Sequence, residues 1–143
     1  MQRVLNLVKN IPTDEIPVAS IIVKNGEIIS EACNLKETLK DVSAHAEILA
    51  IREAERKLGS WRLDGCELYV NLEPCPMCAT AIINSRISAV YFGSYDLQFG
   101  ALGSAMDLRE IYNSPLKVYG GIMEKECDEI LSGYFASMRR KNG

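Results

Sequence analysis

The only histidine of the chain, His45, stands two residues before Glu47, and Cys75 and Cys78 follow further along with two residues between them. Imidazole nitrogen and thiolate sulfur are ligands that zinc prefers in proteins. Three protein ligands leave the fourth position of a tetrahedral zinc ion open, which is the arrangement of a catalytic rather than a structural site. The pattern therefore predicts a catalytic zinc site formed by His45, Cys75 and Cys78, with the Glu47 carboxylate free to transfer protons.

Each part of this pattern has a more ordinary explanation when it stands alone. A single histidine is usually a surface or core residue, and a Cys-x-x-Cys pair can also be a structural zinc site or a redox dithiol. A structural zinc site would need a fourth ligand from Cys33, Cys66 or Cys127. We expect these three to be small buried residues, which is the usual environment of a free cysteine. The combination therefore favours the catalytic zinc site.

Both ligand motifs stand where helices are predicted to begin. Apolar periodicity predicts one helix over about 45–58, followed by Gly59 as a C-terminal stop, and another from the cysteine motif to about residue 85. Unpaired N–H groups at a helix N-terminus favour thiolate over thiol. Because residues at i and i+3 share a face of a helix, two helices meeting end-on would bring all three ligands to one ion.

The other elements predict a mixed sheet with helices on both faces. The apolar positions from Val4 to Ile11 mark a first helix that Pro12 ends, and a polar stretch, 34–43, precedes the ligand helix. The remaining predicted elements are strands at 18–23, 67–72, 88–92 and 116–119, a hairpin turn at Asn25-Gly26 into a strand at 27–29, and a last helix over 124–139. A hairpin followed by helix–strand units predicts an α/β fold with about five strands.

The composition is that of a small globular protein. The 143 residues are 48% hydrophobic and 24% charged, which predicts one domain over 1–143. No apolar run approaches the roughly 18 residues that span a membrane. Five cysteines are an odd number, which favours a reducing cytoplasm over a disulfide framework. The net charge of -3 argues against broad capture of nucleic acid, so that any RNA contact must come from a local basic patch.

The H-x-E and P-C-x-x-C motifs are typical of zinc nucleobase and nucleoside deaminases. Over nearly its whole length the chain also resembles the bacterial tRNA adenosine deaminases, which make inosine at the wobble position. The segments that carry this resemblance are 15–18, Asn34, 44–47, 72–79, 85–87, 92–96, 100–104, 134–135 and 138–140. Because all nucleobase deaminases share the zinc motifs, the substrate is indicated by the more specific segment 96–104 and by the end of the chain.

The resemblance implies a three-layer α/β/α cytidine deaminase-like fold and hydrolytic deamination of adenosine 34 in tRNA, with one zinc ion per chain. It implies that Glu47 carries the protons and that Asn34 and the backbone of Ala46 hold the base. It also implies that Asp96 contacts the anticodon loop and that the helix containing 79–83 packs against its counterpart in a homodimer. The residues alone allow plainer roles for Asn34, as a turn residue, and for Asp96, as a loop cap.

The end of the chain combines aromatic and basic residues. Arg139, Arg140 and Lys141 follow Tyr134 and Phe135. Basic residues often end helices because they suit the negative end of the helix dipole. Aromatic rings beside arginine also suit an anticodon loop, whose bases stack on rings while its phosphates meet guanidinium groups. We therefore expect Tyr134 and Arg139 to contact tRNA.

Two other functions remain open. The chain could deaminate a free base or nucleoside such as guanine or cytosine, which the acidic composition favours. It could instead be a non-catalytic, zinc-containing subunit that binds RNA. The presence of Glu47 argues against the second alternative, because a structural subunit does not need a proton carrier.

Overall fold

Most strands of the sheet run in one direction, so that their carboxyl ends share one edge. The structure is a computed structural model that describes residues 1–142. The strands are Ala19–Lys24 (β1), Glu27–Cys33 (β2), Cys66–Leu72 (β3), Ala89–Ser94 (β4) and Lys117–Tyr119 (β5), in the spatial order β2-β1-β3-β4-β5. β1 is antiparallel to β2 and to β3, whereas β3, β4 and β5 are parallel. The predicted mixed sheet is therefore confirmed.

Helices cover both faces of this sheet. They are Gln2–Val8 (α1), Lys36–Leu39 (α2), Ala46–Leu58 (α3), Pro76–Asn84 (α4), Leu108–Tyr112 (α5) and Glu124–Asn142 (α6). Because side chains alternate along a strand, Ile21 packs on one face, with Val4 and with Ile130 of α6. Ile22 belongs to the main core with Ala50 of α3 and Ile82 of α4. The three-layer α/β/α arrangement is therefore confirmed.

Local sequence signals set several element ends. Asn25 and Gly26 have φ angles of 51° and 79°, which are the positive values that a tight two-residue hairpin turn requires. Gly59 ends α3 in the left-handed conformation, with φ 64°, where a residue with a side chain is disfavoured. Both features agree with the prediction from sequence.

Other element ends differ from the prediction. β2 continues to Cys33, past the predicted end at Ile29, because pairing with β1 extends from Lys24↔Glu27 to Ala19↔Cys33. α1 ends at Val8 rather than near Ile11. The short helices α2 and α5 were not predicted, since they are too short to show an apolar period.

None of the helices within residues 1–142 combines the length and the apolar character that crossing a bilayer requires.

Candidate active site and metal centre

The three predicted metal ligands lie at the starts of two adjacent helices. His45 is the N-cap residue of α3 and Cys75 is the N-cap residue of α4, with Cys78 one turn further. Pro76 occupies the first turn of α4. Proline is tolerated there because an N–H group at this position would have no hydrogen-bond partner within the helix. α3 and α4 follow β2 and β3, which end at the same edge of the sheet. The fold therefore brings the imidazole and the two thiols together.

The spacing of the ligand atoms suits a tetrahedral zinc ion. Nδ1 of His45 is 3.7 Å from Sγ of Cys75 and 3.4 Å from Sγ of Cys78. Zn–N bonds of about 2.0–2.1 Å and Zn–S bonds of about 2.3 Å, at tetrahedral angles, place the nitrogen about 3.6 Å from each sulfur. The three ligand atoms lie within 4.8 Å of one another. The donor atoms therefore fit zinc by type and by distance.

Within residues 1–142, no further histidine, cysteine or carboxylate atom joins this group. Cys66 and Cys127 are buried elsewhere, and Cys33 lies near the carbonyl of Leu7. Glu47 lies beside the group without being part of it. The arrangement has three protein ligands, as expected of a metal site with one open position.

The charges of the site are shifted by burial and by mutual contact. A hydrogen bond from the Cys78 thiol, helped by His45, lowers the pKa of Cys75 to about 4. The same hydrogen bond and burial raise the pKa of Cys78. Burial raises the pKa of Glu47 to about 7, and the negative charge on Cys75 acts in the same direction. The site therefore contains one thiolate ready to bind a cation and one carboxyl group suited to proton transfer near neutral pH.

A cavity of about 330 Å³ opens above these residues. Four predicted site residues, Asn34, Ala46, Glu47 and Asp96, line it together with His45 and Cys75. The other lining residues are Ile16, Val18, Lys36, Leu72, Glu73 and Phe99. Apolar walls with a few polar groups are typical of a pocket for a flat, partly polar ligand such as a nucleobase.

Asn34 is 7% exposed, and its side chain is fixed by the backbone. Its Nδ2 group donates to the carbonyl of Ile16 at 3.3 Å, and its Oδ1 accepts from the N–H of Lys36 at 3.2 Å. The Nδ2 group has a second hydrogen and Oδ1 has a second lone pair. Each of the two can therefore form one further hydrogen bond. Asn34 thus serves as a turn residue and can also bind a ligand in the cavity.

Asp96 caps its own loop. Its Oδ1 accepts hydrogen bonds from the N–H groups of Gln98 at 3.1 Å and Phe99 at 3.0 Å. The loop-capping role that the sequence allowed is therefore present. The residue also lines the cavity.

Arg139 and Tyr134 lie outside the cavity, on different sides of α6. Arg139 lines a groove of about 870 Å³ with Phe135, and this groove shares Asp96 and Phe99 with the cavity. Tyr134 lines a separate groove of about 220 Å³ beside Pro12 and Pro17. The structure therefore brings Arg139, but not Tyr134, to the mouth of the cavity.

Six residues that line the cavity were not identified as site residues from the sequence, and three of these six are charged or aromatic. Lys36 and Glu73 line the cavity, and Phe99, with an exposed fraction of 56%, lies where the cavity joins the groove. Phe99 could have been noticed as an aromatic residue inside the specific segment 96–104. Nothing in the sequence distinguishes the buried Glu73 from a solvated glutamate.

The metal centre gives a first prediction. We expect the purified protein to contain about one zinc ion per chain, and His45→Ala, Cys75→Ala and Cys78→Ala each to lose it, because two ligands hold zinc poorly. Metal analysis by mass spectrometry after dialysis measures this directly. Cys66→Ala removes a cysteine outside the group and should keep its zinc. Full zinc occupancy in Cys75→Ala would show that the ligand set is wrong.

Comparison with known proteins agrees with this geometry. Residues 1–94 match the cytidine and deoxycytidylate deaminase zinc-binding region. A tRNA-specific adenosine deaminase of Bacillus subtilis is 47% identical over 129 residues, which are 89% of this chain and 80% of that protein.

Two solved structures are also similar. One, from work on A-to-I editing by tRNA:A34 deaminases, has a TM-score of 0.75 and 42% identity and covers 82% of this chain and 87% of its own. The other, a guanine deaminase from Nitrosomonas europaea, has a TM-score of 0.81 but 27% identity, covering 94% of this chain and 82% of its own. The chain belongs to the cytidine and deoxycytidylate deaminase zinc-binding family and, within it, to the tRNA-specific adenosine deaminases.

Proposed function

We propose that this protein converts adenosine to inosine at position 34 of tRNA, the wobble position, by hydrolytic deamination. The observation that carries the proposal is the buried carboxyl group of Glu47, 4% exposed, beside the three-ligand group in a nucleobase-sized cavity. Membership of the tRNA-specific adenosine deaminases supports the choice of substrate.

His45, Cys75 and Cys78 are the proposed zinc ligands, because they alone form a suitable group within residues 1–142. A zinc ion bound there would lower the pKa of water enough to make hydroxide available near neutral pH. The positive ends of α3 and α4 at the site favour the thiolate forms that metal binding needs.

Glu47 is the proposed proton carrier. Its carboxylate takes a proton from the attacking water and delivers it to N1 of the adenine ring. After water has added at C6, Glu47 takes the proton of the new C6 hydroxyl group and passes it to the amino group, which leaves as ammonia as the C6 carbonyl forms. A carboxyl group with a pKa of about 7 can accept and return a proton near neutral pH, and its separation from the ligand group keeps it available.

Asn34 and the first turn of α3 are the proposed contacts to the base. Asn34 can offer its second amide hydrogen and second lone pair to the polar edge of adenine. The N–H of Ala46 is at the first position of α3, and the His45 side chain does not cap this turn. Such amides have no intrahelical partner, so they can bind a ring nitrogen or a carbonyl group.

The open mouth of the cavity favours RNA over a free base. The cavity runs into a groove lined by Phe99, Phe135 and Arg139. Exposed rings can stack on unpaired bases, and arginine can bind phosphate. Asp96 lies where the two meet and is the proposed contact to the anticodon-loop backbone. Tyr134 remains a predicted contact to tRNA. It lines the separate groove at Pro12 and Pro17, and this position does not support the prediction.

The test of the proposal is incubation with total tRNA, followed by inosine analysis of the anticodon loops. Guanine, cytidine and adenosine are assayed in parallel, because a guanine deaminase shares the fold. Inosine at position 34, with little turnover of the small substrates, is the expected result. Turnover of guanine or cytidine without tRNA inosine would establish the alternative substrate class.

We further propose that residues 1–143 form a single deaminase domain and that the protein acts in the cytoplasm. The five cysteines are unpaired, and two of them lie in the proposed metal site, where oxidation to a disulfide would abolish binding. A reducing compartment suits both facts.

The role of Glu47 gives a second prediction. Glu47→Ala and Glu47→Gln should keep zinc and fold but lose turnover on an anticodon stem-loop by about 10²–10⁴-fold, the usual contribution of general acid–base catalysis. Single-turnover kinetics and metal analysis on the same samples separate the two effects. Loss of zinc from Glu47→Gln would make the carboxylate a ligand instead.

The outer face of α4 gives a third prediction. Ala79, Ile82 and Ile83 are buried in the core and Ala81 packs against it, whereas Met77 is 36% exposed and Thr80 is partly exposed. We propose that this outer face packs against its counterpart in a homodimer, with each active site near the interface. Light scattering at micromolar concentration should give twice the chain mass of 15.9 kDa. A monomeric mass in fully active protein would exclude the dimer.

The C-terminal arginines give a fourth prediction. Arg139→Ala should weaken binding of an anticodon stem-loop. It should also make the fall of the logarithm of the binding constant with the logarithm of salt concentration less steep by about 0.7, which is the contribution of one phosphate contact to a single strand. Removal of residues 139–143, of which Gly143 lies outside the described residues, should act in the same direction. Lys125→Ala, at the exposed start of α6, is the matched control. Unchanged affinity and slope would leave Arg139 only a helix-capping role.

A further inference from the structure

Glu73 has a buried carboxylate whose hydrogen bonds all go to one loop. The residue is 2% exposed, and no ion pair involving it occurs among residues 1–142. Its Oε1 accepts from the N–H of Asp96 at 3.1 Å and from the hydroxyl of Ser104 at 2.5 Å. Its Oε2 accepts from the N–H groups of Leu102 at 3.2 Å and Ser104 at 3.1 Å. Four donors offset the cost of burying this carboxylate.

These bonds also exclude Glu73 from the chemistry. A carboxylate has about four lone-pair positions, and each is directed at a donor from the loop. Glu47, in contrast, lies beside the ligand group and faces the cavity. The two glutamates of the cavity wall therefore have different roles.

The loop that Glu73 holds, residues 95–104, carries the residues at the mouth of the cavity. Asp96 and Phe99 belong to it and line both the cavity and the adjoining groove. Gly100 lies so close to the Glu73 carboxyl group that a Cβ atom there would collide with it and with the carbonyl of Asp96. The loop backbone is thus wrapped tightly around the carboxylate.

The same segment also presents a proposed metal ligand. Glu73 is followed by Pro74 and then by Cys75. The carbonyl of Pro74 accepts from the N–H of Ala101 at 2.9 Å, and the N–H of Glu73 donates to Ser94 at 2.9 Å. The strand end that leads to the metal site and the loop that forms the mouth are therefore fastened to each other.

We propose that Glu73 is a positioning residue for substrate recognition. Its carboxylate fixes loop 95–104 so that Phe99 and Asp96 meet the nucleotides next to the reacting base. This proposal rests on the proposed function, because it assumes a polynucleotide substrate. It assigns Glu73 to binding of the substrate and leaves the chemical step to Glu47.

The first experiment measures the loop without reference to activity. Glu73→Gln replaces an acceptor oxygen with an NH₂ group that faces N–H donors, so the loop should loosen. Hydrogen exchange of the amides of Asp96, Leu102 and Ser104 should become about tenfold faster than in the wild-type protein. Glu126→Gln changes an exposed glutamate on α6 and should leave these amides unchanged.

The second experiment measures recognition. In Glu73→Gln the KM for an anticodon stem-loop should rise by about tenfold, with kcat and zinc content close to wild type, because binding rather than the transition state is affected. If Glu73 acts through Phe99, then Phe99→Ala should raise KM little further in the Glu73→Gln background. A residue that only stabilised the fold would give additive effects.

The outcomes distinguish the two proposals. A wild-type enzyme that makes no inosine in tRNA counts against the proposed function, whereas the exchange experiment still reports on the loop. Unchanged exchange at the three amides, additive effects of Glu73→Gln and Phe99→Ala on KM, or loss of zinc with a fall in kcat would overturn the role of Glu73. Ser104→Ala removes the hydroxyl donor alone and should shift exchange and KM in the same direction by less, and it replaces Glu73→Gln if that variant does not fold.

Discussion

The site depends on the shared direction of β2, β3 and β4. β1 lies between β2 and β3 and is antiparallel to both, so its two neighbours end at the same edge of the sheet, where β4 also ends. The segments that follow these three strands present Asn34, Cys75 and Asp96. If one of these three strands ran in the opposite direction, the segment that follows it would lie at the opposite edge of the sheet. Its site residue would then be separated from the other two.

Buried polar side chains hold the walls of the cavity in place. Glu15 accepts from the N–H groups of Glu37 and Thr38 at 3.0 and 2.7 Å, which fixes the segment after Asn34. Burial alone would raise the pKa of Glu15, but the two amides lower it below its usual value. Glu73 fixes loop 95–104 through hydrogen bonds from Asp96, Leu102 and Ser104. Side chains held by such contacts have little conformational freedom left to lose when a ligand binds. The site is therefore preorganised for binding.

The residues proposed for the chemical step and those proposed for RNA binding lie in two adjoining spaces, the cavity and the groove. His45, Cys75 and Glu47 line the cavity, and Glu47 is buried there, where shielding from solvent strengthens electrostatic interactions. Phe135 and Arg139 lie outside it on an open groove, and Phe99 lies where the cavity and this groove join. Under the proposed function, a chain with a net charge of -3 can bind RNA because only the groove has to meet phosphate.

The sequence by itself predicted the zinc ligands and the proton carrier as hypotheses, and it determined the main elements of the fold. These depend on local properties, namely residue type, i, i+3 spacing, apolar period and turn residues such as Asn25-Gly26. Only the tertiary structure distinguished Glu73, a buried anchor for a distant loop, from a solvated glutamate. It also separated Tyr134 from Phe135, because adjacent residues on a helix point about 100° apart. Only packing against β4 and the loops decides which of the two lines the groove beside the cavity. Contacts between segments far apart in sequence carry this information, and no local pattern contains it.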